Sequence, residues 1–223
     1  MFNWLKKVDK QKEIAIIAIH GFGVRKTIEL EPLIEPLSKY DVIRPVLFDV
    51  NDESDCKLED WVNRADLAVN QAISKGQRII ILGFSMGGVI ATHLATKYQV
   101  EKLILLAPAF EYLTVTTATS ALGKFFSTKD TSGEMPNNFT QTFTEIVDKY
   151  KGQAEKVKCP VLMIAAENDA VIPSSVSSKY YKKFTNSNKH CVILEGGEHR
   201  LLDNSGTSAI TISLIKNFIE NKF

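Results

Sequence analysis

Short apolar runs recur along the chain, separated by stretches whose apolar residues return every three or four positions. The runs are Ile14–Ile19, Val42–Phe48, Ile79–Leu82, Leu103–Ala107, Val161–Ala166 and Cys191–Leu194. Most are continuous rather than alternating, the pattern of strands buried on both faces of a parallel sheet. Pro45 interrupts the second run and is predicted to end its hydrogen-bonded part, because proline has no amide donor. Between the runs, Leu58–Ser74 reads as the clearest helix, with Leu58, Trp61, Val62, Ala65, Leu67, Ala68 and Ala72 crowding one side and Lys75-Gly76 as its stop. Met86–Tyr98, Ser175–Phe184 and Ala209–Ile219 read as further helices. In Thr27–Ser38 a short helix is expected to begin at Pro32 or Pro36. Strand–helix alternation of this kind predicts right-handed crossovers and a layered α/β domain.

One stretch breaks the rhythm. Residues 110–158 contain no convincing strand. Thr114–Ser120 is rich in Thr and Ser, and Ser127–Asn138 is polar. Thr140–Ala154 then turns helical, with Phe143, Ile146, Val147 and Tyr150 at i, i+3, i+4 and i+7. The expectation is a single domain over 1–223 with a cap or lid inserted at 110–158.

Bulk properties narrow the class without naming a chemistry. With 27 basic and 26 acidic residues the net charge is +1, which gives no reason to expect binding to nucleic acid or to an anionic membrane surface. Three cysteines, Cys56, Cys159 and Cys191, make a disulfide framework an unfavoured reading. Cys159 and Cys191 read as buried structural thiols, and no spacing suggests zinc. The N-terminus lacks the apolar stretch of a secretory signal, and no segment reaches the length of a membrane-spanning helix. The cytoplasm is the expected location.

The chemistry concentrates after the ends of the strands. Gly83-Phe84-Ser85-Met86-Gly87 matches G-x-S-x-G, directly after one apolar run and directly before a helical pattern. A serine on such a strand-to-helix turn projects its hydroxyl from the sheet in a strained conformation. The following helix aims its positive end at it. His20-Gly21-Phe22-Gly23 follows the first run. Acyl transfer develops negative charge on the former carbonyl oxygen, which fixed backbone N–H groups stabilise. One is expected from Met86, the residue after Ser85, and the second from Phe22. His20 sits at a strand end and reads as a loop-holding residue rather than a base.

Glu167-Asn168-Asp169 follows the fifth run, at the strand end where α/β sites lie. Asp169 is the expected orienting acid, with Glu167, nearer the strand, as its rival. Gly196-Gly197-Glu198-His199 follows the last run, and His199 is the expected base. His190 and His93 read as structural or surface residues. The order Ser85, Asp169, His199 distinguishes this arrangement from the other well-known serine hydrolases.

These motifs together resemble the α/β-hydrolase superfamily across nearly the whole chain. Within it the sequence is most similar to small bacterial carboxylesterases and monoacylglycerol lipase-like enzymes. The resemblance rests on H-G-F-G at 20–23, Asp60-Trp61, G-F-S-M-G-G at 83–88, Ala107-Pro108-Ala109, P-V-L-M-I-A-A-E-N-D at 160–169 and G-G-E-H at 196–199. It implies an α/β-hydrolase fold: a mostly parallel sheet of about six or seven strands, helices on both faces and a small cap. It maps the family's catalytic residues onto Ser85, Asp169 and His199, and its oxyanion hole onto Phe22 and Met86. Where many relatives carry a G-H-G-like turn, this chain has Phe48-Asp49-Val50-Asn51-Asp52.

The function implied is hydrolysis of carboxylic esters with short to medium acyl chains through an acyl-enzyme, on a small-molecule ester, with no cofactor and no metal. Leu122, Phe125, Phe126, Phe139 and Phe143 of the cap are the expected substrate-binding residues. A thioesterase or amide hydrolase would use the same three residues. A non-catalytic ligand-binding homologue is the alternative from another class, since fold alone does not fix function. Relatives that dehalogenate or open epoxides carry aspartate where Ser85 stands.

Overall fold

A computed structural model of the chain describes residues 12–23, 26–111, 135, 137–203 and 205–223. Six strands form one sheet: β1 (Ile14–Ile19), β2 (Asp41–Ile43), β3 (Arg78–Phe84), β4 (Lys102–Leu106), β5 (Val161–Ala166) and β6 (Lys189–Leu194). All neighbours are parallel, in the order β2-β1-β3-β4-β5-β6. The helices are α1 (Leu58–Ser74), α2 (Met86–Lys97), α3 (Asn137–Tyr150), α4 (Ser174–Tyr181) and α5 (Ser205–Ile219), with 3₁₀ helices at Lys26–Leu33 and Lys151–Lys156.

The continuous apolar runs are explained by two cores, one on each face. Ala15, Ile17, Ile81, Leu105 and Met163 join residues of α1, α2, α3 and α4 in one. Ile16, Ala18, Ile80, Leu82, Ile104 and Ile164 meet the Lys26–Leu33 helix and α5 in the other. Successive side chains of a strand point to opposite faces, so a strand covered on both sides has no polar positions.

The second strand is only three residues long and stops ahead of Pro45, as expected. Residues 44–48 continue as connecting chain that carries Phe48 into the core. Several other boundaries differ from expectation. Leu67, counted above with the buried side of α1, is exposed at 48%, and Val69 is buried instead. Leu67 lies nine residues beyond Leu58, half a turn around the helix at about 100° per residue. The Lys26–Leu33 helix contains Pro32 rather than starting at it. Helix α3 stops at Tyr150 and tightens into the 3₁₀ turn Lys151–Lys156. Cys191, expected in the interior, is half-buried on the edge strand β6, while Cys159 is buried. Burial pushes the Cys159 thiol up to about 11. Among the described residues no helix is long and apolar enough to cross a membrane.

Helix α3 packs firmly onto α2 and α1. It buries Phe139, Thr142, Phe143, Ile146, Val147 and Tyr150. Phe139 meets Trp61 edge-on at 5.3 Å and Phe48 at 5.6 Å, and Phe48 lies 4.3 Å from Trp61. Aromatic pairs at such spacings contribute about 0.5–1.5 kcal/mol each beyond their buried area.

At the far end of the sheet, Lys102 opens β4 almost buried. Its ammonium donates to the carbonyls of Phe218 and Ile219, the latter at 3.1 Å, and to Asn221 Oδ1 at 2.7 Å. Asn221 adopts φ 57°, and Lys222 N–H returns to the Asn217 carbonyl at 2.8 Å. A cation therefore caps the carboxyl end of α5, where the unpaired carbonyls and the helix dipole favour it. Burial lowers the Lys102 pKa. Replacing Lys102 with methionine keeps the stem and removes the donors. We expect Lys102→Met to lose about 1.5–3 kcal/mol of stability, measured by urea unfolding; an unchanged midpoint would show that the cap is dispensable.

Candidate active site

The strand order places a topological switch point between β1 and β3: the chain leaves β1 toward β2 on one side and continues from β3 toward β6 on the other. In open parallel sheets ligands bind in the crevice beyond the carboxyl ends of such strands. Here β1 runs into His20-Gly21-Phe22 and β3 runs into Ser85.

Ser85 adopts φ 52°, ψ −120°, a region that non-glycine residues rarely occupy. Its surroundings determine it from several directions. Its N–H donates to the Leu106 carbonyl at 2.9 Å, and its own carbonyl accepts the N–H groups of Gly88 at 2.9 Å and Ala109 at 3.1 Å. Ala107, between those two anchors, is itself at φ 42°. The next turn of α2 presses on β1: a Cβ at Gly87 would lie 2.2 Å from the Ile19 carbonyl oxygen. Only glycine permits that approach.

The loop after β1 lies against the same serine, since a Cβ at Gly21 would be 3.1 Å from Ser85 Cβ. His20 is fully buried and holds this loop. Its Nδ1 pairs with the Gly21 carbonyl at 2.7 Å, and its Nε2 accepts the Leu47 N–H at 3.0 Å. A carbonyl only accepts, so the ring is the neutral tautomer with its proton on Nδ1. The Phe22 ring is stacked 5.2 Å from Phe143 and 6.2 Å from Trp61. Met86 is fully buried at the first position of α2.

Asp169 and His199 arrive from the other half of the sheet. Asp169 Oδ1 accepts the N–H groups of Val171 at 2.8 Å and Ile172 at 2.7 Å. This local turn orients the carboxylate, and Oδ2 then meets His199 Nδ1 at 2.7 Å. Both side chains are almost wholly shielded, at 0% and 2% exposure. Glu167 points to solvent. The His199 loop is clasped to the end of β5: Glu167 N–H donates to the Leu194 carbonyl at 2.9 Å and Asn168 N–H to that of Gly197 at 3.0 Å. Gly196, at φ 68°, makes the turn. His199 Nε2 lies 3.1 Å from Ser85 Oγ, and the Phe84 ring packs 5.0 Å from the imidazole. Because the carboxylate only accepts, Nδ1 carries the proton toward Asp169, and the Nε2 lone pair faces the serine hydroxyl.

The structure thus brings Ser85, Asp169 and His199 into one hydrogen-bonded chain, with the Gly21–Phe22 backbone and the start of α2 beside it. Phe143 lies against Phe22, and Phe139 is enclosed between Trp61 and Phe48. Leu122, Phe125 and Phe126 fall outside the described residues. His93 stacks on Tyr150 at 4.1 Å, and His190 is the second residue of β6, toward the opposite end of the sheet. Sequence reasoning missed Glu29. It is only 7% exposed, and its Oε1 accepts the Gly21 N–H at 2.5 Å. A glutamate on a proline-containing stretch gives no signal for such a partner. Among the described residues no cluster of three or more His, Cys, Asp or Glu is arranged to hold a metal.

The chain is similar to several known proteins. "Putative esterase/lipase 3" of Mycoplasma genitalium is 25% identical over 91% of this chain and 85% of its own length. Among solved structures, one from work on LipS and LipT, two metagenome-derived lipolytic enzymes, superposes with a TM-score of 0.79 at 18% identity, covering 95% of both chains. The monoacylglycerol lipase of Paleococcus ferrophilus superposes with a TM-score of 0.70 at 13% identity over 96% of both chains. The six-stranded parallel sheet, its helical layers and these superpositions make the fold that of the α/β-hydrolases. The model of the Uncharacterised protein family (UPF0227) matches residues 49–215, a span that includes Ser85, Asp169 and His199. The chain therefore belongs to the Uncharacterised protein family UPF0227, built on the α/β-hydrolase fold.

Proposed function

We propose that the protein is a serine hydrolase that cleaves carboxylic esters through an acyl-enzyme, with Ser85 as nucleophile, His199 as general base and Asp169 as the acid that orients it. The observation that carries this reading is the uninterrupted chain from Asp169 Oδ2 through His199 to Ser85 Oγ, at 2.7 and 3.1 Å. The esterase and lipase names of its relatives support the ester class.

In this reading Nε2 of His199 takes the hydroxyl proton as Ser85 Oγ attacks the ester carbonyl. The oxygen of the tetrahedral intermediate accepts from the N–H groups of Phe22 and Met86, each worth about 2.7–4 kcal/mol in the transition state. The protonated His199, stabilised by Asp169, then delivers its proton to the departing alcohol. A water molecule repeats the sequence on the acyl-enzyme and releases the acid. Short to medium acyl chains are the assigned substrates. The insertion over 110–158 is modest, and the apolar face of α3 is already committed to the body.

Labelling tests the nucleophile. Ser85 is expected to react with one equivalent of a fluorophosphonate, located by peptide mass spectrometry. Ser85→Ala is expected to lose both labelling and hydrolysis while keeping a cooperative unfolding transition. An adduct on another serine would reject the assignment.

Substitution at the two acids separates them. Asp169→Asn is expected to lose on the order of 10⁴ in kcat, because the amide favours the wrong tautomer of His199. Glu167, exposed and turned away, is expected to tolerate Glu167→Gln with activity near that of the wild type. Equal losses in steady-state assays of the two variants would remove the distinction on which this role for Asp169 rests.

A further inference from the structure

We infer that Glu29 is a positioning residue for the oxyanion hole, acting together with His20 on two successive peptide groups of the loop after β1. This inference rests on the ester-hydrolase reading above, because it concerns how the N–H of Phe22 is aimed at the substrate oxygen.

The peptide bond is planar. In a trans peptide the carbonyl and the following N–H point in opposite directions, so fixing one fixes the other. The Phe22 N–H belongs to the same plane as the Gly21 carbonyl. That carbonyl accepts from His20 Nδ1 at 2.7 Å, deep in the interior. The plane before it carries the Gly21 N–H, which donates to Glu29 Oε1 at 2.5 Å in a buried setting. Both planes are therefore tied to protein groups. The Gly21 N–H, engaged with Glu29, is also withdrawn from competition for the substrate oxygen.

Three further features fit this role. Gly21 has no side chain to brace its own conformation, and a Cβ there would lie 3.1 Å from Ser85 Cβ. An external clamp is what a glycine at that point requires. The Phe22 ring is held by Phe143 and Trp61 from the helical layer of α1 and α3. Glu29 reaches the backbone of the same loop from the opposite layer, in the Lys26–Leu33 helix. Glu29 also lines a small cavity together with Phe84 and with Arg200, the residue after His199. Glu29, which holds the loop of the proposed oxyanion donor, and the chain just after the proposed base thus border one cavity on that face. A displacement of about 1 Å in a group that supports the reacting geometry can reduce turnover by about 100-fold.

Three substitutions distinguish a hydrogen bond from a charge and from simple packing. Glu29→Gln keeps an acceptor oxygen at the same reach and removes the charge. Glu29→Asp keeps the charge and withdraws the acceptor by one methylene. Glu29→Ala removes both. In the full chain, with a p-nitrophenyl butyrate assay, Glu29→Gln is expected to stay within about threefold of the wild-type kcat. Glu29→Asp and Glu29→Ala are expected to lose about 10- to 100-fold in kcat with KM changed much less. An alkyl boronic acid adds to the nucleophile as an anionic tetrahedral adduct whose boron-bound hydroxyl oxygen occupies the oxyanion hole. Its affinity is expected to fall in parallel with kcat in Glu29→Asp, a change that a loss of packing stability alone would not produce.

The inference is overturned if Glu29→Asp keeps wild-type kcat and boronate affinity, or if Glu29→Gln loses as much as Glu29→Asp. Should Glu29→Ala fail to fold, the comparison of the Gln and Asp variants decides the matter. Wild-type protein is labelled with a fluorophosphonate in the same experiment. Absence of an adduct on Ser85 there would reject the ester-hydrolase reading itself, whereas a wild-type adduct with indifferent Glu29 variants rejects only the role of Glu29.

Discussion

Ser85 occupies a backbone conformation that a free serine would avoid, and a set of short-range contacts keeps it there. Its amide and carbonyl are tied to Leu106, Gly88 and Ala109, while Gly87 lets α2 press against the end of β1. Strain of this kind typically costs about 1–3 kcal/mol and persists only where the neighbours over-determine the geometry. The neighbours here are the carboxyl ends of β1, β3 and β4, adjacent in the sheet because the chain reverses direction of winding between β1 and β3. The sheet order therefore creates the crevice, and the elbow fills it with a hydroxyl. If α2 stood an ångström farther from β1, the loop after β1 would no longer lie against the serine.

The rest of the site follows from assembling two halves of the domain across that crevice. Asp169 is oriented by the turn that follows it, through the N–H groups of Val171 and Ile172. The His199 loop is bound to the end of β5 by backbone hydrogen bonds, so the segments that carry acid and histidine are tied to each other. Every ring nitrogen of His199 and His20 has a defined partner, and in each case the partner selects the tautomer. For His199 the selected tautomer turns a lone pair toward Ser85. For His20 it commits the ring to the loop, which explains why a histidine so near the serine is not available as a base. The aromatic packing of Phe22, Trp61, Phe48, Phe139 and Phe143 joins the loop after β1 to α1 and α3.

Much of this was legible in the sequence because the chemistry sits in short local patterns. The run Ile79–Leu82 followed by G-F-S-M-G announces a buried strand, a sharp turn and a helix, since each requirement is met within a few residues. The acid and histidine are legible for the same reason: each stands just beyond an apolar run. What escaped depends on contacts distant in sequence or on helical phase. Leu67 was misplaced because apolar character alone does not say which side of a helix a residue faces. Phe139 and Phe143 look alike in sequence and both are buried in the core, yet their partners, Trp61 and Phe48 for one and Phe22 for the other, are set by the fold. Glu29 escaped because its partner is a backbone N–H eight residues away, and nothing in residue identity marks a backbone group as needing an acceptor.

The central claim is that Ser85 becomes covalently acylated during turnover, and it can be read directly. Protein mixed with p-nitrophenyl butyrate, acid-quenched in the steady state and digested, should yield the peptide containing Ser85 with the added mass of a butyryl group. The adduct should be chemically competent, decaying at the rate of turnover when substrate is exhausted. Hydrolysis at an undiminished rate with no acyl adduct on that peptide, or with the adduct on a different residue, would contradict the account.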